Sequence, residues 1–339
     1  MGPVRSKPGL LTGASRLRDV ALLALSALVV VVGSASQRDA AEAAEGPLPP
    51  DRMVGMSPLP GGAPMRAVAA VDAPTPQGGC GFPDRGFGDY LGYRPLPLGK
   101  VLVPSSLAVA PDGGYDLLVH FHGLEPVRKQ LAVEGLGLVI AGLDTGTLSG
   151  AYERMFSDPA VFDAMLSSIN REVAGASGHP GARPRSLVLT SWSAGYGAIS
   201  KILGAGRDDV DAVVLLDSLH AGYAATGHHN PDPAQLAPFA SLARAAAQGG
   251  PILFVTHSAV PTPDYASTTE TGSFLLREIG AQVAPPQPPD GDPFGLSRAY
   301  EQNHFFLRGY AGGDGDAHCG QLRLLPAILR DHVLPALRQ

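Results

Sequence analysis

Short, continuously apolar segments alternate with segments of helical periodicity along residues 100–337. An apolar segment of this kind suits a strand that is buried on both faces of a sheet. The segments between them carry apolar residues at helical spacing, as Phe162, Met165 and Ile169 do. The alternation predicts the α/β class, with a mainly parallel, doubly wound sheet and helices on both faces. Strands are predicted at 100–104, 115–121, 137–141, 186–190, 211–216, 252–256 and near 304–307, and helices at 161–173, 194–203, 234–247 and 322–337.

The N-terminal residues have the three-part layout of a secretory signal. Basic residues precede an apolar run at 20–32, and small residues suited to cleavage follow at 34–36. The run is shorter than the roughly 20 residues that a membrane span needs. We therefore expect residues 1–36 to be a signal peptide that directs export to the periplasm or out of the cell. An uncleaved N-terminal membrane anchor is the alternative.

Composition indicates the domain organisation of the rest of the chain and the partners it is suited to. Residues 37–79 are rich in Ala, Gly and Pro without periodicity, which predicts a disordered linker before a folded domain at 80–339. The formal net charge is -6 and no basic stripe is present, which argues against a nucleic-acid partner. Export would bring Cys80 and Cys319 into an oxidising compartment, where one disulfide and two unpaired thiols both remain open.

Residues 187–197, LVLTSWSAGYG, run from an apolar strand through a turn of small residues into a helix. A serine at such a turn, here Ser193, has its hydroxyl lifted out of the sheet. The helix N-terminus behind it offers N–H groups to a developing oxyanion. Ala194 and Gly195 are small, as a close approach of strand and helix requires. A serine that merely caps the helix of an ordinary βα turn is the alternative.

This turn resembles the nucleophile turn of the α/β-hydrolase superfamily, whose pattern is G-x-S-x-G. The first glycine is replaced by Ser191 in this chain. Residues 120–124, HFHGL, resemble the His-Gly turn that precedes the second oxyanion donor of that family. The resemblance implies the α/β-hydrolase fold, no cofactor, and an oxyanion held by the amides of Ala194 and of Leu124 or Gly123.

The resemblance also implies a triad in the chain order serine, acid, histidine. His318 lies directly before the predicted last helix, where the family carries its histidine, and it is the predicted general base. His304 competes with it but lies at the start of a predicted strand. Asp217 follows the predicted strand 211–216 and is favoured as the acid that orients the histidine. Asp264, in a later loop, is the alternative acid.

Polar segments at 217–220, 257–258 and 265–270 follow predicted strand ends, where open α/β sheets bind ligands. In the last of them, Thr268 or Thr269 is also interpreted as a helix cap. Four residues are predicted to contact substrate: Trp192, His122, His220 and Tyr265.

Two histidines allow a different chemistry. His120 and His122 are two residues apart on a predicted strand, so they would face the same way and could hold a metal. No third ligand has a recognisable spacing.

The sequence therefore predicts an exported serine hydrolase that works through an acyl-enzyme. Its expected substrate is an ester, or an amide, of a small molecule or of the cell envelope. Two alternatives remain: a non-catalytic exported binding protein on the same fold, and a metal-dependent hydrolase that uses His120 and His122.

Overall fold

The computed structural model describes residues 81–226, 229–281 and 295–338. The predicted signal or anchor at 1–36 and the predicted linker at 37–79 lie outside the described residues. None of the helices in the described ranges combines the length and the apolar character that a membrane crossing needs.

One nine-stranded sheet organises the described residues. Its strands are β1 (Arg94–Pro95), β2 (Lys100–Leu102), β3 (Gly114–Phe121), β4 (Val139–Leu143), β5 (Arg183–Trp192), β6 (Ala212–Leu216), β7 (Ile252–His257), β8 (Leu296–Gln302) and β9 (Phe305–Tyr310). Their order is β1-β2-β4-β3-β5-β6-β7-β9-β8. The pairs from β4–β3 to β7–β9 are parallel, and the outer pairs are antiparallel. The predicted mainly parallel sheet is confirmed.

Helices cover both faces of this sheet. They are α1 (Leu124–Leu131), α2 (Ser149–Met155), α3 (Pro159–Ser177), α4 (Tyr196–Gly204), α5 (Pro233–Ala246), α6 (Thr268–Glu278), α7 (Gly315–Gly320), α8 (Leu325–Ile328) and α9 (Leu334–Leu337). Successive residues of β3 alternate between the two cores: Leu117 and Val119 pack with α2 to α6, whereas Leu118 packs with α1 and the C-terminal helices. This two-sided mixed sheet is the α/β-hydrolase fold that the resemblance implied.

The C-terminal segment differs from its prediction. A single helix was expected at 322–337, but the chain passes through a 3₁₀ turn, α8, a π-helical turn at Leu329–Val333 and then α9. Pro326 and Pro335 lie in this stretch, and a proline lacks the N–H that would continue an α-helix. The segment still buries an apolar face that includes Leu322 and Val333.

Gly195 is required by a close approach of two backbones. A Cβ at this position would lie 2.0 Å from the carbonyl oxygen of Phe121 on β3. Gly195→Ala is expected to lower the free energy of unfolding by about 3 kcal/mol or more, because the strand or the helix must move apart. Urea unfolding followed by circular dichroism measures this.

A matched control lies in α3, where a Cβ on Gly175 would meet no atom within 4 Å. Gly175→Ala is expected to raise the free energy of unfolding by about 0.5–1 kcal/mol, since alanine restricts the unfolded chain. Equal effects of the two substitutions would contradict the contact between Gly195 and Phe121.

Candidate active site

Three neighbouring strands bring the predicted site residues to one edge of the sheet. The register pairs Trp192 of β5 with Leu216 of β6, and Leu216 with Thr256 of β7. The next residues after β5 and β6 are Ser193 and Asp217, so their backbones lie side by side at the carboxyl ends of these strands. Parallel α/β sheets bind their ligands at this edge.

The backbone at Ser193 is strained. Its φ is +51°, a left-handed conformation that costs a residue with a Cβ about 1–2 kcal/mol. The Ser218 hydroxyl donates to the Ser193 carbonyl oxygen at 2.9 Å, and the Ser191 hydroxyl lies 2.6 Å from that same hydroxyl. The serine at the position of the family's first glycine therefore helps to hold the turn.

The Ser193 hydroxyl itself has no hydrogen-bond partner among the residues that the structure describes. The side chain is half-buried and remains accessible. If Ser193 capped α4, its hydroxyl would accept a hydrogen bond from a backbone N–H. Neither the 3₁₀ turn at Ser193–Gly195 nor α4 has a side-chain cap, so Ser193 does not have this role.

Asp217 is 2% exposed and its carboxylate accepts four hydrogen bonds. Oδ1 accepts from the Ser258 N–H at 2.8 Å and from the Thr268 hydroxyl. Oδ2 accepts from the Ser258 hydroxyl at 2.6 Å and lies 2.7 Å from His318 Nδ1. Every lone pair that faces the protein is thus engaged, and burial is compensated by specific donors.

Burial alone would raise the pKa of Asp217. Hydrogen bonds from His318, Ser258 and Thr268 outweigh it, and the pKa is lowered from its ordinary 3.8. The aspartate is therefore ionised at neutral pH.

The lowered pKa of Asp217 predicts a pH-dependent stability. The ionised carboxylate stabilises the native state above its unfolded pKa of 3.8, and this contribution is lost as the pH falls through the lower native pKa. The difference in free energy of unfolding between wild type and Asp217→Asn should therefore shrink between about pH 5 and pH 3. Urea unfolding at several pH values measures the difference. A difference that is constant across this range would contradict the assignment.

The Gly- and Asp-rich stretch around His318 predicts a loop, but His318 lies in the short helix α7. The Asp314 side chain caps this helix by accepting from the Ala317 N–H at 2.8 Å. Because a carboxylate only accepts, the 2.7 Å contact with Asp217 assigns the proton of His318 to Nδ1. Nε2 then carries a lone pair and has no partner among the described residues.

Trp192 fixes the position of His318 beside the turn. Its indole N–H donates to the His318 carbonyl oxygen at 3.1 Å, and the two rings lie 4.7 Å apart. His122 stacks on the Trp192 ring at 5.2 Å. The predicted substrate contacts Trp192 and His122 thus form one aromatic stack with His318.

The alternative acid and base lie elsewhere. Asp264 is exposed in a turn and has no hydrogen bond or ion pair with the described residues. His304 lies in the hairpin between β8 and β9, at the amino end of β9, and its Nδ1 is 2.5 Å from the Gly250 carbonyl oxygen. The geometry brings Asp217 to His318 and leaves Asp264 and His304 apart from them.

Of the two predicted amides on the oxyanion side, one is engaged. Gly123 N–H donates to the Asp144 carboxylate at 2.5 Å. Leu124 is the first residue of α1, and its N–H makes no hydrogen bond with the described residues. The Ala194 N–H, in the 3₁₀ turn at Ser193–Gly195, also makes no hydrogen bond with the described residues. Leu124 and Ala194 are therefore the available pair.

His120 and His122 do not face the same way. β3 ends at Phe121, and His122 has a φ of +71°, which turns its side chain away from the strand's alternation. His120 is fully buried, with Nδ1 2.8 Å from Thr190 Oγ1 and Nε2 2.7 Å from the His122 carbonyl oxygen. Burial lowers the pKa of His120 to about 4.

The prediction that the two histidines share one face is wrong because the strand ends between them. Since both nitrogens of His120 are engaged with protein, this pair does not fit a metal. Across the described ranges, no group of three or more His, Cys, Asp or Glu side chains is arranged to hold a metal ion.

The two remaining predicted substrate contacts lie together on the other side of the turn. His220 packs edge-on against Tyr265, with ring centroids 5.2 Å apart, and against Tyr196 of α4 at 5.8 Å. Tyr265 is 43% exposed.

Two positioning residues were not predicted as such. Ser258 and Thr268 were recognised only as members of polar segments after strands, and Thr268 or Thr269 was expected to cap a helix. Ser267 caps α6 instead, through a capping box with Glu270, which leaves the Thr268 hydroxyl for Asp217. The sequence signal was present, because Ser258 directly follows β7.

The helix that carries His318 also contains a disulfide-bonded cysteine. Cys319, next to the histidine, is disulfide-bonded. The other cysteine of the chain, Cys80, lies outside the described residues.

No protein-family model and no curated protein matches the sequence. One similar solved structure is a dienelactone hydrolase-like promiscuous phosphotriesterase from metagenomic libraries, with 10% identity over 69% of this chain and 92% of that chain and a TM-score of 0.39. Another is a thermophilic carboxylesterase from a metagenomic library, with 14% identity over 71% and 88% and a TM-score of 0.40.

A cold-adapted esterase from an Arctic intertidal metagenomic library is also similar, with 14% identity over 69% of this chain and 87% of that chain and a TM-score of 0.36.

Proposed function

We propose that this chain, which has the α/β-hydrolase fold, is a serine hydrolase that cleaves an ester, or an amide, through an acyl-enzyme. One observation carries the proposal. Ser193 combines a strained backbone with an accessible, unengaged hydroxyl, and it directly follows Trp192, whose ring packs against His318. Nδ1 of this histidine is held by the buried carboxylate of Asp217, which accepts four hydrogen bonds. A serine, a base and an orienting acid are the parts that acyl transfer needs.

In the first half-reaction, His318 Nε2 takes the proton of Ser193 as Oγ attacks the carbonyl carbon. Asp217 keeps the proton of His318 on Nδ1 and stabilises the imidazolium that forms. The Ser193 hydroxyl turns toward Nε2 when substrate binds, since such hydrogen bonds often tighten only in the complex. His318 then gives its proton to the leaving group as the acyl-enzyme forms.

The amides of Ala194 and Leu124 stabilise the charge that develops on the carbonyl oxygen. Both belong to first turns of helical segments, so their N–H groups have no intrahelical acceptor. In the second half-reaction His318 takes a proton from water as the water attacks the acyl-enzyme. It then returns this proton to Ser193 Oγ as the acyl–oxygen bond breaks and the carboxylic acid leaves.

Hydrolysis of p-nitrophenyl acetate and of a matched anilide by the purified domain tests the proposal, with and without a chelator. We expect turnover of the ester that a chelator does not change. Loss of activity with the chelator would favour a metal-dependent hydrolase. No turnover of either compound by folded protein would favour a non-catalytic binding protein.

We also propose that the domain acts outside the cytoplasm, in the periplasm or the medium, because residues 1–36 have the layout of a secretory signal. Its substrate is then a small molecule or a component of the cell envelope. Mass measurement of the N-terminus of the exported protein tests this. A mature chain that begins near residue 37 is expected, and a full-length chain in the membrane fraction would indicate an anchor.

A further inference from the structure

A cavity of about 530 Å³ opens beside the proposed catalytic turn. Tyr196 and His220 form part of its lining, and their rings contact each other at 5.8 Å. Tyr196 follows Ser193 by less than one turn of helix, and His220 comes shortly after Asp217. The lining of the cavity therefore begins three residues after Ser193 on one element and three residues after Asp217 on another.

His220 presents a hydrogen-bond acceptor there. Its Nδ1 lies 3.4 Å from the Ala266 carbonyl oxygen, and because a carbonyl only accepts, the proton is assigned to Nδ1. Nε2 then carries a lone pair. It has no hydrogen-bond partner among the described residues. It is also not one of the polar atoms of these residues that are buried without a partner. This nitrogen is open to a ligand.

The ring of His220 is also held neutral. Burial lowers the pKa of His220 and outweighs the Asp217 carboxylate, which raises it. A neutral imidazole accepts a hydrogen bond, whereas an imidazolium cannot.

Further lining residues carry polar or charged side chains that suit a polar, uncharged group. Lys201 and Glu153 lie 4.0 Å apart and balance each other's charge. Ser200 and Gln235 add further polar atoms to the wall. An alkyl chain placed here would remove water from these groups without replacing its hydrogen bonds, which is unfavourable. A charged ligand would have to compete with the ion pair.

We propose that this cavity binds a hydroxyl-bearing part of the substrate, with a substrate hydroxyl donating to His220 Nε2. The inference rests on the proposed ester hydrolysis and adds a substrate class to it: esters of polyols or of hydroxylated acids, in preference to alkyl esters. A site built to bond a hydroxyl discriminates against an analogue that lacks it, because its polar groups are then left unpaired.

Two matched ester pairs test the class, one for each side of the ester bond. Propyl acetate is compared with glycerol monoacetate, and ethyl butanoate with ethyl 3-hydroxybutanoate. For at least one pair, kcat/KM of the wild type should favour the hydroxylated ester by about tenfold, as one hydrogen bond to a neutral acceptor provides.

Variants of His220 test whether the preference for hydroxylated esters arises from this residue. His220→Phe keeps a ring but loses the acceptor, and it should bring the ratio of kcat/KM close to one. His220→Gln keeps a polar acceptor and should retain part of the preference. His304→Gln removes a histidine at the opposite edge of the sheet and should leave the ratio at its wild-type value. Equal turnover of both members in both pairs, or a preference that survives in His220→Phe, would overturn the proposal.

A binding measurement separates this proposal from the catalytic one. In histidine-labelled Ser193→Ala protein, the His220 ring resonance should shift saturably with glycerol monoacetate and not with propyl acetate. A shift without any ester turnover by the wild type would retain the cavity's ligand class and reject the catalytic function. Turnover without a shift or a preference would reject the cavity assignment and retain the function.

Discussion

Ser193→Ala is expected to lower kcat for ester hydrolysis by ~10⁵-fold or more, because the substitution removes the attacking oxygen and leaves only binding and the oxyanion donors. The measurement is the rate of p-nitrophenyl acetate hydrolysis. Only the residual rate that substrate binding and the oxyanion amides support should remain. The fold should persist, since the Ser193 hydroxyl has no partner among the described residues.

Ser177→Ala provides the matched control. Ser177 is exposed at the end of α3 and its hydroxyl bonds only locally: it donates to the Val173 carbonyl oxygen at 2.8 Å and accepts from the His179 N–H at 3.3 Å. Its kcat should equal that of the wild type. A Ser193→Ala protein that retains more than about a hundredth of the wild-type kcat would show that the serine is not the nucleophile, since nucleophile removal costs several orders of magnitude more.

Asp217→Asn is expected to lower kcat by ~10⁴-fold, because an amide at this place no longer selects the Nδ1–H tautomer of His318. The NH₂ group of the asparagine also faces a donor in either orientation of the amide, the Ser258 hydroxyl at the position of Oδ2 or the Ser258 N–H and the Thr268 hydroxyl at the position of Oδ1. This should lower the free energy of unfolding by about 1–3 kcal/mol. Steady-state kinetics at a temperature well below the unfolding transition separates the two effects.

Asp264→Asn is the discriminating control, since Asp264 is the alternative acid that the sequence predicts. It is exposed and makes no hydrogen bond with the described residues, so its kcat and its unfolding free energy should match the wild type. A large loss of kcat in Asp264→Asn, with little loss in Asp217→Asn, would reverse the assignment of the acid.

The central strands of the sheet could be predicted because the sequence pattern that indicates each strand lies within the strand itself and the turn after it. Each central strand is a short apolar run, and each is followed by a turn of small or polar residues. Ser193 and His318 were candidates for the same reason, since each lies in a short pattern at a defined place in the order of elements. The broken C-terminal segment was missed because apolar spacing continues through Pro326 and Pro335, although the backbone hydrogen bonds do not.

Choices between alternatives required contacts distant in sequence. Asp217 and Asp264 were both acceptable acids by chain order. The donors from Ser258, directly after β7, and from Thr268 of α6 distinguish them. The same holds for the oxyanion side. Gly123 and Leu124 are adjacent, and only the Asp144 carboxylate, which follows β4, shows which N–H is already engaged. No periodicity in the sequence encodes such pairings.

The central claim is that Ser193 is an activated nucleophile. Labelling of the purified domain with a fluorophosphonate, followed by mass analysis of the modified peptide, tests it most directly. The account predicts one adduct, on the peptide that contains Ser193, in the wild type and in Asp264→Asn, and none in Ser193→Ala. Folded wild-type protein that remains unlabelled, or an adduct on another residue, would contradict it.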